Sequence, residues 1–331
     1  MVRSTVRYRD GRESAKSWLC SPNLETLCYN LSRTSSSYDD EFHEMVLDIK
    51  AATVAAATGK NHYALGHGAH ADELEEDMER YRGLIPGKKL HSLETDINIR
   101  DEDLGFLVDN MDTLRKLCLP KLPLGTATIG ALGRHHRTIV ELDLQCGSTN
   151  GTRALVKTVM NLAQLEDLAL DLVDVEAFVQ SGPWACLGLK RLAIAFQTLA
   201  PSDVATKIAS ESSRAIWQRL SCLTKLDHLT TYKGYFWSDR FQPFFTLECG
   251  LGLLSALTEL RRVEADLNVL ASPEAEWMIR TWPKLNLIYC ERGPRDCIVD
   301  PKVVQAFKDK GIDVDTKPYF SSRSHDCRPG Q

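Results

Sequence analysis

His62, His67 and His70, with Asp72 and Glu73 just beyond them, form the densest group of metal-ligating side chains in the chain. Imidazole and carboxylate together suit zinc, but this spacing matches no standard zinc set and lies in a glycine-rich stretch. A solvated polar loop is therefore expected there, with no metal. His135-His136, ahead of Ile139, reads as a loop at a helix end. Thr58-Gly59-Lys60 has Val54 where a phosphate-binding loop needs its earlier glycine, so no nucleotide chemistry is expected. Ten cysteines are scattered singly without a C-x-x-C pair, most of them inside apolar runs. That pattern predicts small buried side chains rather than disulfides or a zinc site. The sequons Asn30-Leu31-Ser32 and Asn150-Gly151-Thr152 matter only in a secreted chain. From these residues neither catalysis nor a cofactor is expected.

The chain has 331 residues, 43% apolar and 26% charged, which is ample for a packed core. A net charge of -5 gives no general attraction for nucleic acid or anionic lipid. No stretch reaches the roughly 20 apolar residues of a membrane span, and residues 1–16 lack the apolar centre of a signal peptide. The expected setting is the cytoplasm, with the nucleus as the alternative, and no nucleic-acid or membrane partner.

A phrase recurs along the chain. Its cleanest copies are Leu114-x-x-Leu117-x-Leu119, Ile139-x-x-Leu142-x-Leu144, Leu165-x-x-Leu168-x-Leu170 and Leu189-x-x-Leu192-x-Ile194, whose first anchors lie 25, 26 and 24 residues apart. Looser copies start at Leu24, Leu90, Leu226, Leu260 and Leu285. In a strand, alternate residues share a face, so the second leucine and the residue two places on point inward together. The residue between them points outward: Cys118, Asp143, Ala169 and Ala193 in the clean copies. One such strand cannot bury its leucines alone, whereas stacked neighbours share a core. The period is that of leucine-rich repeats. The predicted fold is α/β, a leucine-rich repeat solenoid. It would be a right-handed horseshoe with a parallel sheet on the concave face and helices on the convex face.

Helices are predicted over residues 151–163 and 202–223. Another is predicted from Ser272 as N-cap, through Pro273 in the first turn, to a stop at Trp282-Pro283. A capped helix from Asp300-Pro301 to Lys310 and a short strand at 312–314 would close the repeats. Residues 1–17 read as a polar lead, 18–290 as the repeat domain and 291–331 as a C-terminal cap and polar tail. The long gap after Leu24 marks an insertion at about 31–88, with helices predicted at 39–58 and 71–84. A second, aromatic insert at about 232–246 holds Tyr232, Tyr235, Phe236, Trp237, Phe241, Phe244 and Phe245. Insertions in solenoids map to loops, often on the binding face. Tyr232, Tyr235, Phe236, Trp237 and Phe241 are therefore the candidate partner-binding residues, together with the outward-facing Asp143. The other tryptophans, Trp18, Trp184, Trp217, Trp277 and Trp282, are expected in the core.

Three phrases carry a family resemblance: residues 217–226 (Trp-Gln-Arg-Leu-Ser-Cys-Leu-Thr-Lys-Leu), Leu247-Glu248-Cys249-Gly250-Leu251-Gly252-x-Leu254, and Glu274-Ala275-Glu276-Trp277-Met278 with Trp282-Pro283-Lys284-Leu285. With the repeat, they make the chain from about Trp18 to Cys290 resemble the repeat region of fungal F-box and leucine-rich repeat proteins of the Mortierella type. That resemblance implies a non-enzymatic protein-interaction scaffold, the substrate-recognition part of an F-box type (SCF) ubiquitin ligase receptor. A ubiquitination substrate would be its partner, and the Skp adaptor and cullin would follow by analogy. No F-box is expected in the chain, because residues 1–16 are too short and polar for its three packed helices. The alternatives are a leucine-rich regulator of another enzyme, such as a small GTPase, and a truncated family member without ligase coupling.

Overall fold

The computed structural model describes residues 4–7, 24–29, 91–95, 100–119, 124–145, 149–197, 205–231, 240–241, 243–265, 270–290 and 300–315. The fold is α/β, with parallel strands alternating with helices along the chain. The chain divides into two compact units, Met1–Leu165 and Glu166–Gln331.

In the first unit, β1 (Ser4–Arg7), β2 (Leu24–Tyr29), β3 (Ser92–Thr95), β4 (Lys116–Leu119) and β5 (Glu141–Gln145) pair in chain order, all parallel. The helices α1 (Asp101–Asp109), α2 (Thr126–Arg134) and α3 (Thr149–Met160) alternate with the later strands. In the second unit, parallel pairing runs through β6 (Asp167–Asp174), β7 (Arg191–Gln197), β8 (His228–Thr231), β10 (Arg262–Ala265), β11 (Leu287–Cys290) and β12 (Asp313–Asp315). The two-residue β9 (Arg240–Phe241) lies antiparallel to the end of β7. Between them come α4 (Val175–Gln180), α5 (Ala205–Leu220), a 3-10 helix (Leu251–Ala256), α6 (Ser272–Thr281) and α7 (Pro301–Lys308).

All nine leucine phrases form strands, and register shows why. The second anchor of each phrase faces the second anchor of the next: Leu93, Leu117 and Leu142 in the first unit. In the second unit the ladder runs Leu168, Leu192, Leu229, Val263, Ile288 and Val314. Apart from Val314, these side chains are at most 1% exposed. Each contributes roughly 1.5–3 kcal/mol by leaving water, available only once its neighbours are stacked.

The backbone repeats as regularly as the side chains. Along six of the described strand pairs, one carbonyl just ahead of a strand accepts two successive N–H groups from the start of the next. The His91 carbonyl takes Arg115 and Lys116, and that of Arg115 takes Val140 and Glu141. The carbonyls of Glu166, Lys190, Asp227 and Arg261 do the same in the second unit. A further buried residue stands three places before the first anchor: Met111, Leu162, Cys186, Leu223, Leu257 and Trp282. From Leu162 onward its carbonyl accepts the anchor's N–H and closes the turn into the strand.

Several expectations are corrected. Ser272 is the first helical residue of α6 rather than its cap; Ala271, extended and without a side-chain cap, holds that position, while Pro273 sits in the first turn as expected. The closing strand is Asp313–Asp315, one residue later than predicted. The polar lead contains a strand, β1, which its composition did not reveal. Cys118 is 9% exposed and so buried, although it occupies an outward position. Trp184, Trp217 and Trp282 are buried as expected, whereas Trp18 and Trp237 lie outside the described residues, as do the insertion helices at 39–58 and 71–84.

Candidate protein-binding face

Opposite the leucines, each strand presents two outward positions, just before and just after its second anchor. Register joins these positions into rows. In the first unit one row is Ser92, Lys116 and Glu141, and the other is Glu94, Cys118 and Asp143. Lys116 Nζ lies 2.7 Å from Glu141 Oε1. Burial alone would lower the Lys116 pKa, but the hydrogen bond and charge of Glu141, helped by Glu94, hold it above the ordinary lysine value. Cys118 Sγ donates to Asp143 Oδ2 at 3.7 Å. Burial first, then the negative charges of Asp143 and Glu94, push this thiol well above the ordinary range. It is held as a thiol, the form that does not act as a nucleophile.

In the second unit the first row is Asp167, Arg191, His228, Arg262, Leu287 and Asp313. The second is Ala169, Ala193, Thr230, Glu264, Tyr289 and Asp315. Arg191 is ion-paired with Asp167, and Arg262 with Glu264. Glu264 also lies 3.4 Å from His228 Nε2 and accepts from Thr230 Oγ1 at 3.2 Å. Burial works to raise its pKa, but the His228 hydrogen bond and the charges of Arg262 and His228 outweigh it and bring the carboxyl to about 2.

Thr230, His228 and Glu264 are a hydroxyl, an imidazole and a carboxylate in mutual contact, so catalysis deserves a geometric test. Thr230 Oγ1 lies 3.3 Å from His228 Nε2, the same nitrogen that faces Glu264. A nucleophile–base relay needs the hydroxyl on one ring nitrogen and the orienting carboxylate on the other. Here the hydroxyl and the carboxylate both face Nε2, and Thr230 is only 3% exposed. The arrangement fits an ion-pair network that shapes a surface.

Of the candidate contact residues, Asp143 lies on this outward face in β5, half-buried beside Cys118. Phe241 is half-buried in β9, opposite Phe196. Tyr232, Tyr235, Phe236 and Trp237 lie outside the described residues. The described ends of that insert are both tied to β7: Thr231 pairs with Ile194 and Arg240 with Gln197. Phe245, at its far end, is a core residue with no exposed surface, its ring 4.7 Å from that of Trp217.

His135 is 5% exposed, with Nε2 2.8 Å from the Val108 carbonyl, a structural contact at the end of α2. His62, His67 and His70 lie outside the described residues, and among those described no three ligating side chains come together. Among the described residues no helix is long and apolar enough to cross a membrane.

Arg191, His228 and Arg262, outward residues of the second unit, escape a reading that marks only the position between the two later anchors, where Glu264 stands between Val263 and Ala265. The strand period of two also places the residue before the second anchor on this face, which yields Lys116, Glu141, Asp167, Arg191, His228 and Arg262 directly from the phrase. No family model matches the chain, and a search of curated proteins finds no match.

Proposed function

We propose that the chain is a leucine-rich repeat solenoid, a right-handed horseshoe, that works as a non-enzymatic protein-binding scaffold. Partner contact is assigned to the outward face of its strands and to the aromatic insert. The observation that supports this most is the register: equivalent positions of successive phrases fall into common ladders. In each unit this leaves one leucine face for the core and one polar, partly exposed face of parallel strands. A pre-ordered strand array loses little freedom on binding, which suits recognition of a protein surface. By the resemblance to fungal F-box proteins, the partner would be a ubiquitination target, and coupling to a Skp adaptor and cullin is proposed by analogy.

Affinity purification of the full chain from its native cells, with identification of co-purifying proteins, tests the reading. It should return one protein reproducibly, and Ala193→Trp, which adds bulk to the outward face of β7, should release it. Recovery of adaptor and cullin would support the ligase assignment. Undiminished capture by the Trp variant would remove the sheet face from the account.

A further inference from the structure

β6 breaks its own alternation. Leu168 and Leu170 point inward and are buried, and a regular strand would turn Leu172 inward next. Instead the register with β7 shifts after Leu170. Leu170 pairs with Ile194 and Val173 with Phe196, so Asp171 and Leu172 together oppose Ala195. This extra residue makes a β-bulge, a feature rare between parallel strands. Val173 takes the inward place and is buried, while Leu172, one position before it, falls on the outward side and is half-buried. Leu172 has a φ of +56° and is the only non-glycine residue with a positive φ among the described residues.

In that left-handed region a leucine Cβ crowds the backbone carbonyl, and glycine or asparagine is the residue that usually stands there. The fold accounts for the bulge. Val173 faces Phe196, whose ring meets that of Phe178 edge-on at 5.1 Å, and Asp174 Oδ1 caps α4 by accepting the Ala177 N–H at 2.7 Å. In an unbulged strand Leu172 would face Phe196, Val173 would turn outward and Asp174 would shift off the helix end. None of this needs a leucine at position 172. Glycine would hold the same backbone without strain, which leaves the leucine side chain unexplained by the fold.

The outward neighbours of Leu172 are small and apolar: Ala169 and Ala193 oppose each other in register and are half-buried. Asp167 and Arg191, next along the same strands, are ion-paired with each other, and Asp171 is engaged within the protein. The border of this patch therefore offers no open charge, and the group complementary to it is uncharged and apolar. Building on the scaffold reading above, we infer that Leu172, with Ala169 and Ala193 beside it, is the anchor onto which the partner protein sets an apolar side chain. Contact there removes apolar surface from water on both partners, and this gain is set against the backbone strain at Leu172.

Panning a phage library of random dodecapeptides on the immobilised full chain, followed by fluorescence anisotropy of the enriched peptides, provides the test. The enriched peptides should share an apolar residue at one position and bind Leu172→Asn at least about ten-fold more weakly than the parent. Asparagine tolerates the left-handed backbone, so that variant should stay folded. Leu172→Gly should resist urea better than Leu172→Ala, the reverse of their order in an ordinary strand. Peptides without an apolar position, peptides bound equally by Leu172→Asn, no enrichment at all, or a glycine variant weaker in urea than the alanine variant would each overturn the inference. So would loss of the fold in Leu172→Asn or Leu172→Gly, which would make the leucine a structural residue. A cellular protein captured equally by the parent and by Leu172→Asn would sink this inference and leave the scaffold reading standing. Peptides that depend on Leu172, with no cellular protein ever captured, would sink the scaffold reading alone.

Discussion

The carboxylate of Asp101, first residue of α1, caps the amino end of α2 at Gly125. Its Oδ1 accepts the Gly125 N–H at 2.8 Å and the Thr128 N–H at 3.2 Å, while Oδ2 accepts that of Ala127 at 2.9 Å. One helix thus satisfies the open N–H groups of the next, and the residue at position 125 must be glycine because a Cβ there would run into the same carboxylate. Asp101→Ala should cost about 1–3 kcal/mol, the usual penalty for orphaning buried donors. Gly125→Ala should be at least as damaging. Urea unfolding followed by circular dichroism would show both; an unshifted midpoint for Asp101→Ala would mean that water replaces the cap.

Glu264 makes stability depend on acid. Its folded pKa of about 2 lies below the ordinary 4.5, so its contribution is complete above pH 4.5 and lost as pH falls toward 2. That contribution is about 3 kcal/mol at neutral pH. Glu264→Gln should therefore lower the urea midpoint at pH 7, and the gap between variant and parent should narrow by pH 3. A gap that stays constant with pH would show that packing, not charge, is what the variant loses.

Much of the fold is legible in the sequence because burial and spacing coincide in it. Leu117, Leu142, Leu168 and Leu192 are spaced for a strand and are all buried there. From Leu162 onward the turn-closing residue three places before the first anchor is equally readable, as in Leu223-Thr224-Lys225-Leu226 and Leu257-Thr258-Glu259-Leu260, but its chemistry varies from leucine to cysteine to tryptophan. A pattern defined by residue type misses a position defined by geometry. The pairing of Glu264 with His228 was not readable, because the two lie 36 residues apart and only register brings them together. Asp143 was found because it stands between two leucines of a clean phrase. Arg191 and Arg262 were not, since they stand one place earlier.

Thiol reactivity should separate the described cysteines. Cys222 is exposed, whereas Cys118, Cys186 and Cys249 are buried. Burial pushes Cys186 up to about 12 and Cys118 higher still, so their thiolate fractions near pH 8 are negligible. Brief iodoacetamide treatment of the native chain, read by peptide mass spectrometry, should label Cys222 at least about ten-fold faster than Cys186 or Cys118. Comparable labelling of Cys118 would mean that the β4–β5 face opens readily.

Two indoles secure distant backbone: Trp217 Nε1 donates to the Phe244 carbonyl at 3.0 Å, and Trp282 Nε1 to that of Leu254 at 3.1 Å. The acceptors lie 27 and 28 residues away in the chain, Phe244 outside any helix or strand and Leu254 in the 3-10 helix. Trp282→Phe keeps an aromatic ring but leaves the Leu254 carbonyl with the Leu257 N–H alone and opens a void, so it should cost about 1–3 kcal/mol. Leu187→Ala, at a side chain 54% exposed, should change stability by less than about 0.5 kcal/mol. Thermal melts of the two variants side by side would reveal the contrast, and equal shifts would contradict the burial pattern.

The outward strand face is proposed above to receive a protein. Its most direct test is position-resolved photo-crosslinking in native cells, with a benzoylphenylalanine placed singly at Ala193 on β7 or at Glu276, an exposed residue of α6. Ala193 should capture one defined protein and Glu276 should not. Capture of that protein from Glu276, with none from Ala193, would contradict the proposal and place recognition on the helical side.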